Sequence, residues 1–448
     1  AGQELTRFRL HAGETARTPL MVVQYWEGDR TDAQNTWRRW MVAHNLPRPA
    51  GRSLAPQTAG VSGNHFAGLM CNAADEIRFL DRYAEERIPL TYWWMDAGWY
   101  PCDEAGWPKV GTWEPDPIRF PRGLRPVCDR AHDLGIRTLL WLEPERVSPG
   151  TWLYEQHPEW LLGPEGGQRM LGLGHPEARA WLTDHVDRLL GEQGIDLYRQ
   201  DHNFDPLELW RAADGPDRQG LTEMGHVTGY LAFWDELRRR RPGLVIDSCA
   251  SGGRRNDLET LRRAVPLLRS DYWQDPVGQQ CHTYGIAPWY PFYGSGFEVI
   301  DRYTARSVYL PHMSLGQDVR RRDLDYELLR QLCAEWQQVS GYLLGDFYPL
   351  TSYSLEDDAW MAWQFDRPED GEGMVQAFRR ARSPYESARL PLRGLDPGAD
   401  YELSELDEPG RIEHRSGQEL MGEGLAVTMR ERPQARIVVY RRRAPGGG

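Results

Sequence analysis

The stretch LYRQDHNF, Leu197 to Phe204, ends a short apolar run on Asp201, with Arg199 two residues before the acid and Asn203 two after it. An aspartate so placed has three uses open to it: a reactive group at the mouth of a buried strand, a metal ligand, or the cap of the next helix. The spacing DHNFD imitates the start of a calcium loop, but Pro206 stands at the position of the turn glycine and Ala212 at that of the closing glutamate. His202 is adjacent, yet neighbours on a strand face opposite ways, and no G-x-S-x-G supplies a serine nucleophile. A second aspartate, Asp271, ends the run VPLLRSD. Two carboxyls offered by different strands at one mouth are the minimum equipment of glycoside hydrolysis: one attacks or stabilises the anomeric carbon, the other protonates the departing oxygen. Arg199 shares the face of Asp201 and, as a cation, favours its ionised form, as a nucleophile requires. Asp271, behind VPLL and beside Tyr272 and Trp273, has the more desolvating surroundings, which raise a carboxyl toward the pKa of a general acid.

The elements that must hold these acids follow from the pattern between about Leu90 and Asp271, where short apolar runs alternate with amphipathic segments. That is the signature of repeated βα units around a buried parallel sheet. The expected strands are 90–96, 137–143, 170–174, 196–201, 243–249 and 267–271, and the expected helices 73–87, 124–135, 176–194 and 229–243. Six such units in so short a span favour a (β/α)8 barrel of the TIM type, an α/β fold; no G-x-G-x-x-G follows the first strand to favour a dinucleotide fold. Barrel active sites lie at the C-terminal ends of the strands, which gathers Asp96, Glu143, Asp201, Cys249 and Asp271 on one face. CASGG, 249–253, reads as a glycine-rich turn that lets backbone approach a ligand, in preference to a cysteine nucleophile.

Composition narrows the partners. A net charge of −13 with scattered arginines gives no electrostatic support to a nucleic-acid partner, and no apolar run approaches the length of a membrane span. No signal-like segment opens the sequence, which favours the cytoplasm. The six cysteines lie far apart with no C-x-x-C pair, so free thiols are expected and neither a zinc site nor a disulfide scaffold. Trp and Tyr, at 19 and 20, far outnumber the 11 Phe; flat rings with a polar edge suit the alternating C–H and O–H surface of a sugar, although a large core also uses them. After about Thr351 the texture becomes short alternating strands between Gly, Pro and Asp turns, an antiparallel β domain. The expected division is therefore 1–55, a β remnant with helix and Pro-rich linker, 56–350, the barrel, and 351–448, the β domain.

The runs LWLEPERVSPGTWLYEQHPEWLL (140–162), LGHPEARAWLTDHVDRLLGEQGIDLYRQDHN (173–203), DSCASGGRRND (247–257) and RSD (269–271) resemble glycoside hydrolase family 36, the bacterial α-galactosidase family, in the same order along the chain. The resemblance runs from about Leu10 to Arg443. It implies a retaining exo-α-glycosidase with no metal or other cofactor, a catalytic barrel, a C-terminal β-sandwich, and an N-terminal β-sandwich of which only the end is present. It places Asp201 on the nucleophile, Asp271 on the acid/base, Asn203 on a sugar-binding asparagine and Arg199 on the family's lysine. Asp96, Trp141, Cys249, Gly252, Phe66 and Trp99 fall on or beside pocket positions. The partner is an oligosaccharide or glycoside, and a homo-oligomer is compatible with this.

Three departures bear on the sugar. MDAGW has Asp96 followed by Ala97 where the family carries two aspartates, NHF (64–66) exchanges a pocket tryptophan for Phe66, and Arg199 replaces lysine, whose point charge a planar guanidinium does not reproduce. Loss of a designed hydrogen-bond partner costs about 1–3 kcal/mol when its mate stays buried. A terminal α-galactosyl residue, an N-acetylgalactosaminide, a galactosaminide, or a sugar altered at C4 or C6 all remain open. So does an inactive, carbohydrate-binding relative.

Overall fold

The computed structural model describes residues 3–102 and 109–444. Seven short strands make the parallel sheet that carries the acids: β1 (Gln57–Val61), β2 (Tyr92–Met95), β3 (Arg137–Leu142), β4 (Leu197–Gln200), β5 (Val245–Ser248), β6 (Gly294–Phe297) and β7 (His312–Leu315). Their order is β5-β4-β3-β2-β1-β7-β6, so the sheet curls with β5 and β6 as its edges. All residues of β2 and β4 are buried; YWWM accordingly shows no alternation, while LYRQ buries Arg199 and Gln200 among polar partners. Between strands run α2 (Ala73–Glu85), α3 (Arg125–Asp133), α4 (Pro176–Gln193) and α5 (Leu221–Arg240), after α1 (Arg30–Trp40) near the start of the chain. Asn72 starts α2 by accepting from Asp75 N at 3.0 Å, and Gly194 ends α4 in the left-handed conformation.

Four of the six expected strands lie in this sheet. The expected strand 267–271 is irregular, yet it bridges the two edges. Val265 N donates to Ile246 O at 3.0 Å, Ser248 N to Val265 O at 3.0 Å, Gly294 N to Pro266 O at 2.9 Å and Arg269 N to Gly294 O at 3.0 Å. The ladder stays broken because Pro266 has no N–H and the Leu267 N–H is taken by the Asp247 carboxyl at 2.9 Å. The expected strand 170–174 shrinks to Arg169–Leu171 and joins a separate small antiparallel sheet with Arg146–Val147 and Leu161–Leu162; Gly172 and Gly174 leave two of that run's five residues without side chains to pack. Conversely β1, β6 and β7 read QTAGV, GSGF and HMSL, with no apolar run to announce them.

Helix α5 begins before the expected 229 and passes close to the backbone at Leu173 and Gly174, where a Cβ on Gly229 would overlap the Leu173 carbonyl. Gly229→Ala is therefore expected to lower stability by about 1–3 kcal/mol, read from a denaturation midpoint.

Towards the C-terminus a six-stranded antiparallel sheet follows, β8 (Asp346–Pro349), β9 (Trp360–Arg367), β10 (Glu372–Arg379), β12 (Asp400–Glu405), β13 (Glu408–Ser416) and β15 (Gln434–Arg442), in the order β8-β9-β10-β15-β12-β13. The pair β11 (Ser387–Leu390) and β14 (Leu425–Thr428) packs Leu390, Leu425 and Val427 on its apolar face. Helix α1 is joined to β8, Arg39 Nε to Asp346 Oδ1 at 2.8 Å and Phe347 N to Asn35 Oδ1 at 2.8 Å. Of the N-terminal segment expected to be β and then helical, only Arg7–Phe8 pairs among the described residues, with Arg218–Gln219. All six cysteines are free, and no helix among the described residues is long and apolar enough to cross a membrane.

Candidate active site

Asp96, Glu143, Asp201 and Cys249 each follow the last residue of a strand, β2, β3, β4 and β5 in turn. Asp201 is buried, and each of its carboxylate oxygens accepts two hydrogen bonds. Oδ1 takes the backbone N–H of His202 at 2.7 Å and of Ser251 at 3.0 Å; Oδ2 takes Trp141 Nε1 at 3.1 Å and Asn203 Nδ2 at 2.8 Å. Burial pushes the carboxyl up, but the charge of Arg199 and these donated hydrogen bonds outweigh it and hold Asp201 below its ordinary value. The result is an ionised carboxylate fixed in orientation. Asn203 is itself clamped, its Oδ1 accepting from Ser251 Oγ at 2.6 Å and its N–H donating to Glu143 Oε1 at 2.6 Å.

Ser251 belongs to a run of four residues with positive φ, Ala250, Ser251, Gly252 and Gly253, at 67°, 51°, 72° and 97°. Two non-glycine residues in the left-handed region store strain, which the contacts on both sides of the turn maintain. On one side its N–H holds Asp201; on the other a Cβ on Gly252 would stand 2.8 Å from Asp271 N. One turn thus touches both acids. Asp271 itself stands exposed at the rim, with enough local crowding that desolvation raises its carboxyl; Arg199 opposes the rise and Asp201 adds to it. The two carboxyls differ in the direction their surroundings push them.

Arg199 is buried. Its guanidinium is paired with Asp247, donates to Cys249 Sγ at 2.9 Å, and sits 4.3 Å above the Trp94 ring. It acts on Asp201 as buried charge. Burial raises the Cys249 thiol well above its ordinary value, which keeps it protonated and unreactive. Burial also raises Asp96, against the pull of Arg199, and its Oδ1 takes the Ala97 N–H at 2.7 Å. Trp99 Nε1 donates to the Trp141 carbonyl at 2.8 Å and so braces that tryptophan. Phe66 packs on Phe79 of α2, with the Arg320 guanidinium 4.9 Å from its ring.

Two glutamates of the EPE turn complete the support, and one of them was invisible to sequence reasoning. Glu143, fully buried and paired with Arg146, is pushed up to about 7 by burial, with Asp201 adding repulsion. Glu145 is the hub of a buried network: it accepts from Arg255 at 2.5 and 2.8 Å, His226 at 2.7 Å and Gln200 at 2.8 Å. Gln200 in turn receives Tyr198 Oη at 2.8 Å and Trp234 Nε1 at 2.6 Å, which fixes the strand just before Asp201. Burial opposes ionisation of Glu145, but the charge of Arg255 and the hydrogen bonds from Arg255 and His226 hold it well below the ordinary range. Removing a buried anion from its partners costs about 3–5 kcal/mol, so Glu145→Ala is expected to lower stability by that much, read from its denaturation curve. The sign with pH follows. A lowered carboxyl contributes its full stability above the unfolded pKa and loses it as pH falls through the folded one, so acid unfolding of Glu145→Gln should depend less on pH than that of the unmutated protein. Among the described residues no group of three or more His, Cys, Asp or Glu is arranged to hold a metal ion.

The sequence matches the model of the Melibiase family over residues 72–300 and that of the glycosyl hydrolase family 36 C-terminal domain over 360–439. It is 27% identical over 447 residues to alpha-galactosidase AgaA of Geobacillus stearothermophilus, covering 94% of this chain and 59% of that one. It is 32% identical over 369 residues to an alpha-galactosidase of Escherichia coli, covering 76% and 48% respectively. The crystal structure of AgaA superposes with a TM-score of 0.81 at 22% identity, over 92% of this chain and 59% of that one. The chain thus spans about half the length of the curated relatives it matches. Because the Melibiase match alone takes in just over half of the 448 residues, with the family's C-terminal domain after it, the chain belongs to the melibiase-like glycoside hydrolase family 36.

Proposed function

We propose that this chain is a retaining exo-α-glycosidase that removes terminal α-galactosyl-type residues by double displacement. The observation that carries the reading is the single turn, 250–253, that touches two acids pushed in opposite directions, Asp201 down and Asp271 up. In the first step an Asp201 oxygen attacks the anomeric carbon, the glycosidic C–O bond breaks, and Asp271 gives its proton to the leaving oxygen. In the second, water attacks the same carbon, Asp271 takes its proton, and the ester bond to Asp201 breaks, so the sugar leaves with its starting configuration. Trp141 and Asn203 orient the nucleophile and present polar edges to the sugar, while Arg199 supplies the charge beneath it. In this reading 265–269 takes the eighth place in a closed (β/α)8 barrel, and the antiparallel strands after it form a sandwich; the division at 55 and 350 follows the notional ends of that barrel.

One observation extends the reading to galacto-configured sugars besides plain galactose: buried Ala97 cannot supply the hydrogen bonds of an aspartate beside Asp96. A panel of 4-nitrophenyl α-glycosides, galactoside, N-acetylgalactosaminide, galactosaminide and glucoside, tests both points. Turnover of a galacto-configured member with net retention, followed by NMR of the first-formed anomer, is expected. No turnover of any member would favour a carbohydrate-binding relative instead. The pH profile of kcat/KM should be bell-shaped, with its acid limb set by ionisation of Asp201 and its alkaline limb by loss of the Asp271 proton.

A further inference from the structure

Two residues beyond Asp271, outside the motifs that carry the acids, Trp273 makes an unusual contact. A Cβ built on Gly296 would stand 2.6 Å from its Cζ3, and one built on Gly316 2.6 Å from its Cη2. Gly296 is near the carboxyl end of β6 and Gly316 immediately follows β7, its parallel neighbour, so the indole lies across the ends of two adjacent strands at the face that carries Asp201. Only glycine leaves room for it there. The atoms pressed on the glycines belong to the benzo edge. The opposite edge, with Nε1, points away from them, and that N–H makes no hydrogen bond with the described residues and is not among their buried polar atoms.

The ring is half-buried and its backbone is braced. Tyr272 N donates to Ser270 Oγ at 3.1 Å, and Gln279 Nε2 to Tyr272 O at 2.7 Å. In the strand order, β6 and β7 lie on the far side of the curl from β3, which carries Trp141 beside Asp201. The Cγ methylene of Glu298 lies 3.1 Å from the Cβ position of Gly316, at the same strand end.

We propose that Trp273 is a specificity-determining wall of the reacting subsite, stacking on the C–H face of a galacto-configured ring opposite Trp141. The axial 4-hydroxyl of such a sugar leaves C3, C4, C5 and C6 with their hydrogens on one face, a continuous apolar surface that an indole matches and that a gluco-configured ring lacks. The free N–H edge then donates to a hydroxyl at the ring's margin. This rests on the glycosidase reading.

The test compares the unmutated protein with Trp273→Ala, Trp273→Phe and Gly316→Ala, the last displacing the ring without removing it. The readouts are kcat and KM on 4-nitrophenyl α-galactoside and α-glucoside, calorimetric titration with free galactose, and the melting temperature of each variant. Trp273→Ala is expected to lower kcat/KM on the galactoside at least about tenfold, mainly through KM, to shrink the galactoside-to-glucoside ratio, and to weaken galactose binding in parallel. Trp273→Phe should recover most of the loss and Gly316→Ala should share it. Unchanged kcat/KM, sugar ratio and galactose affinity in a folded Trp273→Ala protein would overturn the proposal, as would galactose failing to bind the unmutated protein. If no glycoside is turned over but galactose binding still depends on Trp273, the hydrolytic reading fails and the wall stands.

Discussion

Asp201→Ala is expected to lower kcat/KM on an activated aryl α-galactoside by about 10,000-fold or more, with little change in melting temperature. The size follows from what is removed. No other carboxylate occupies the position that receives Trp141, Asn203 and the N–H groups of His202 and Ser251, so nothing else can form the ester of the first step. Stability should hold because the four donors lose an acceptor at the mouth, where water replaces it, whereas the charge partner of Arg199 is Asp247 beneath. Azide separates a nucleophile from a mere orienting acid. In the alanine variant the small anion fits the vacated space, attacks from the nucleophile's side and should release a β-glycosyl azide, opposite in configuration to the α-substrate. Full residual activity, or an azide product of α configuration, would remove Asp201 from the nucleophile's role.

How much of this was legible in the sequence depended on where the physical cause lay. Strands β2 and β3 announced themselves because a parallel strand buried on both faces favours a continuous apolar run, as in YWWM and LLWL, whereas β4 and β5, LYRQ and VIDS, were found from the apolar residues that open them. Strands β1, β6 and β7 did not, because their small residues serve close approach: Gly296 exists for Trp273 and Gly60 for the Trp93 ring, 3.0 Å from its Cβ position. The eighth segment was located but not its form, since Pro266 and the Asp247 side chain break its ladder from residues that a local pattern does not connect.

The acids at strand ends were readable by position. Their support was not. Arg199, Gln200 and His202, the letters on which the resemblance to the family departs around Asp201, are accommodated by Asp247 and by the Glu145 network, all distant in sequence and joined only by folding. His202 shows the cost of that rebuilding: desolvation lowers it to about 4, so it is neutral at ordinary pH and forms no charge pair with Glu145 despite a separation of 3.5 Å.

Asp271→Ala should divide substrates by their leaving groups, and its effect is the second largest we expect. A general acid contributes about 100- to 10,000-fold, but only where the departing oxygen needs a proton. Raffinose-type sugars, whose leaving group is a sugar hydroxyl, should lose nearly the whole of that factor, whereas a 2,4-dinitrophenyl α-galactoside, which departs as a stable anion, should retain most of its first-step rate. For the activated substrate the second step then becomes limiting, because no base draws the proton from water, and a burst of dinitrophenolate followed by a slow steady state should appear. Added azide needs no such base; it should speed that steady state and yield an α-glycosyl azide, the mirror of the Asp201→Ala outcome. The alkaline limb of the pH profile should vanish, since desolvation has raised the Asp271 carboxyl and its deprotonation is what ends activity on that side. A profile that keeps its alkaline limb in Asp271→Ala would transfer the acid's role elsewhere, and Glu143, pushed up to about 7 and 2.6 Å from the Asn203 N–H, is the group to which it would pass. Its carboxyl, however, is fully buried and committed to Arg146, which leaves it no path to a departing oxygen at the rim; Asp271, exposed there and touched by the turn that holds Asp201, has one.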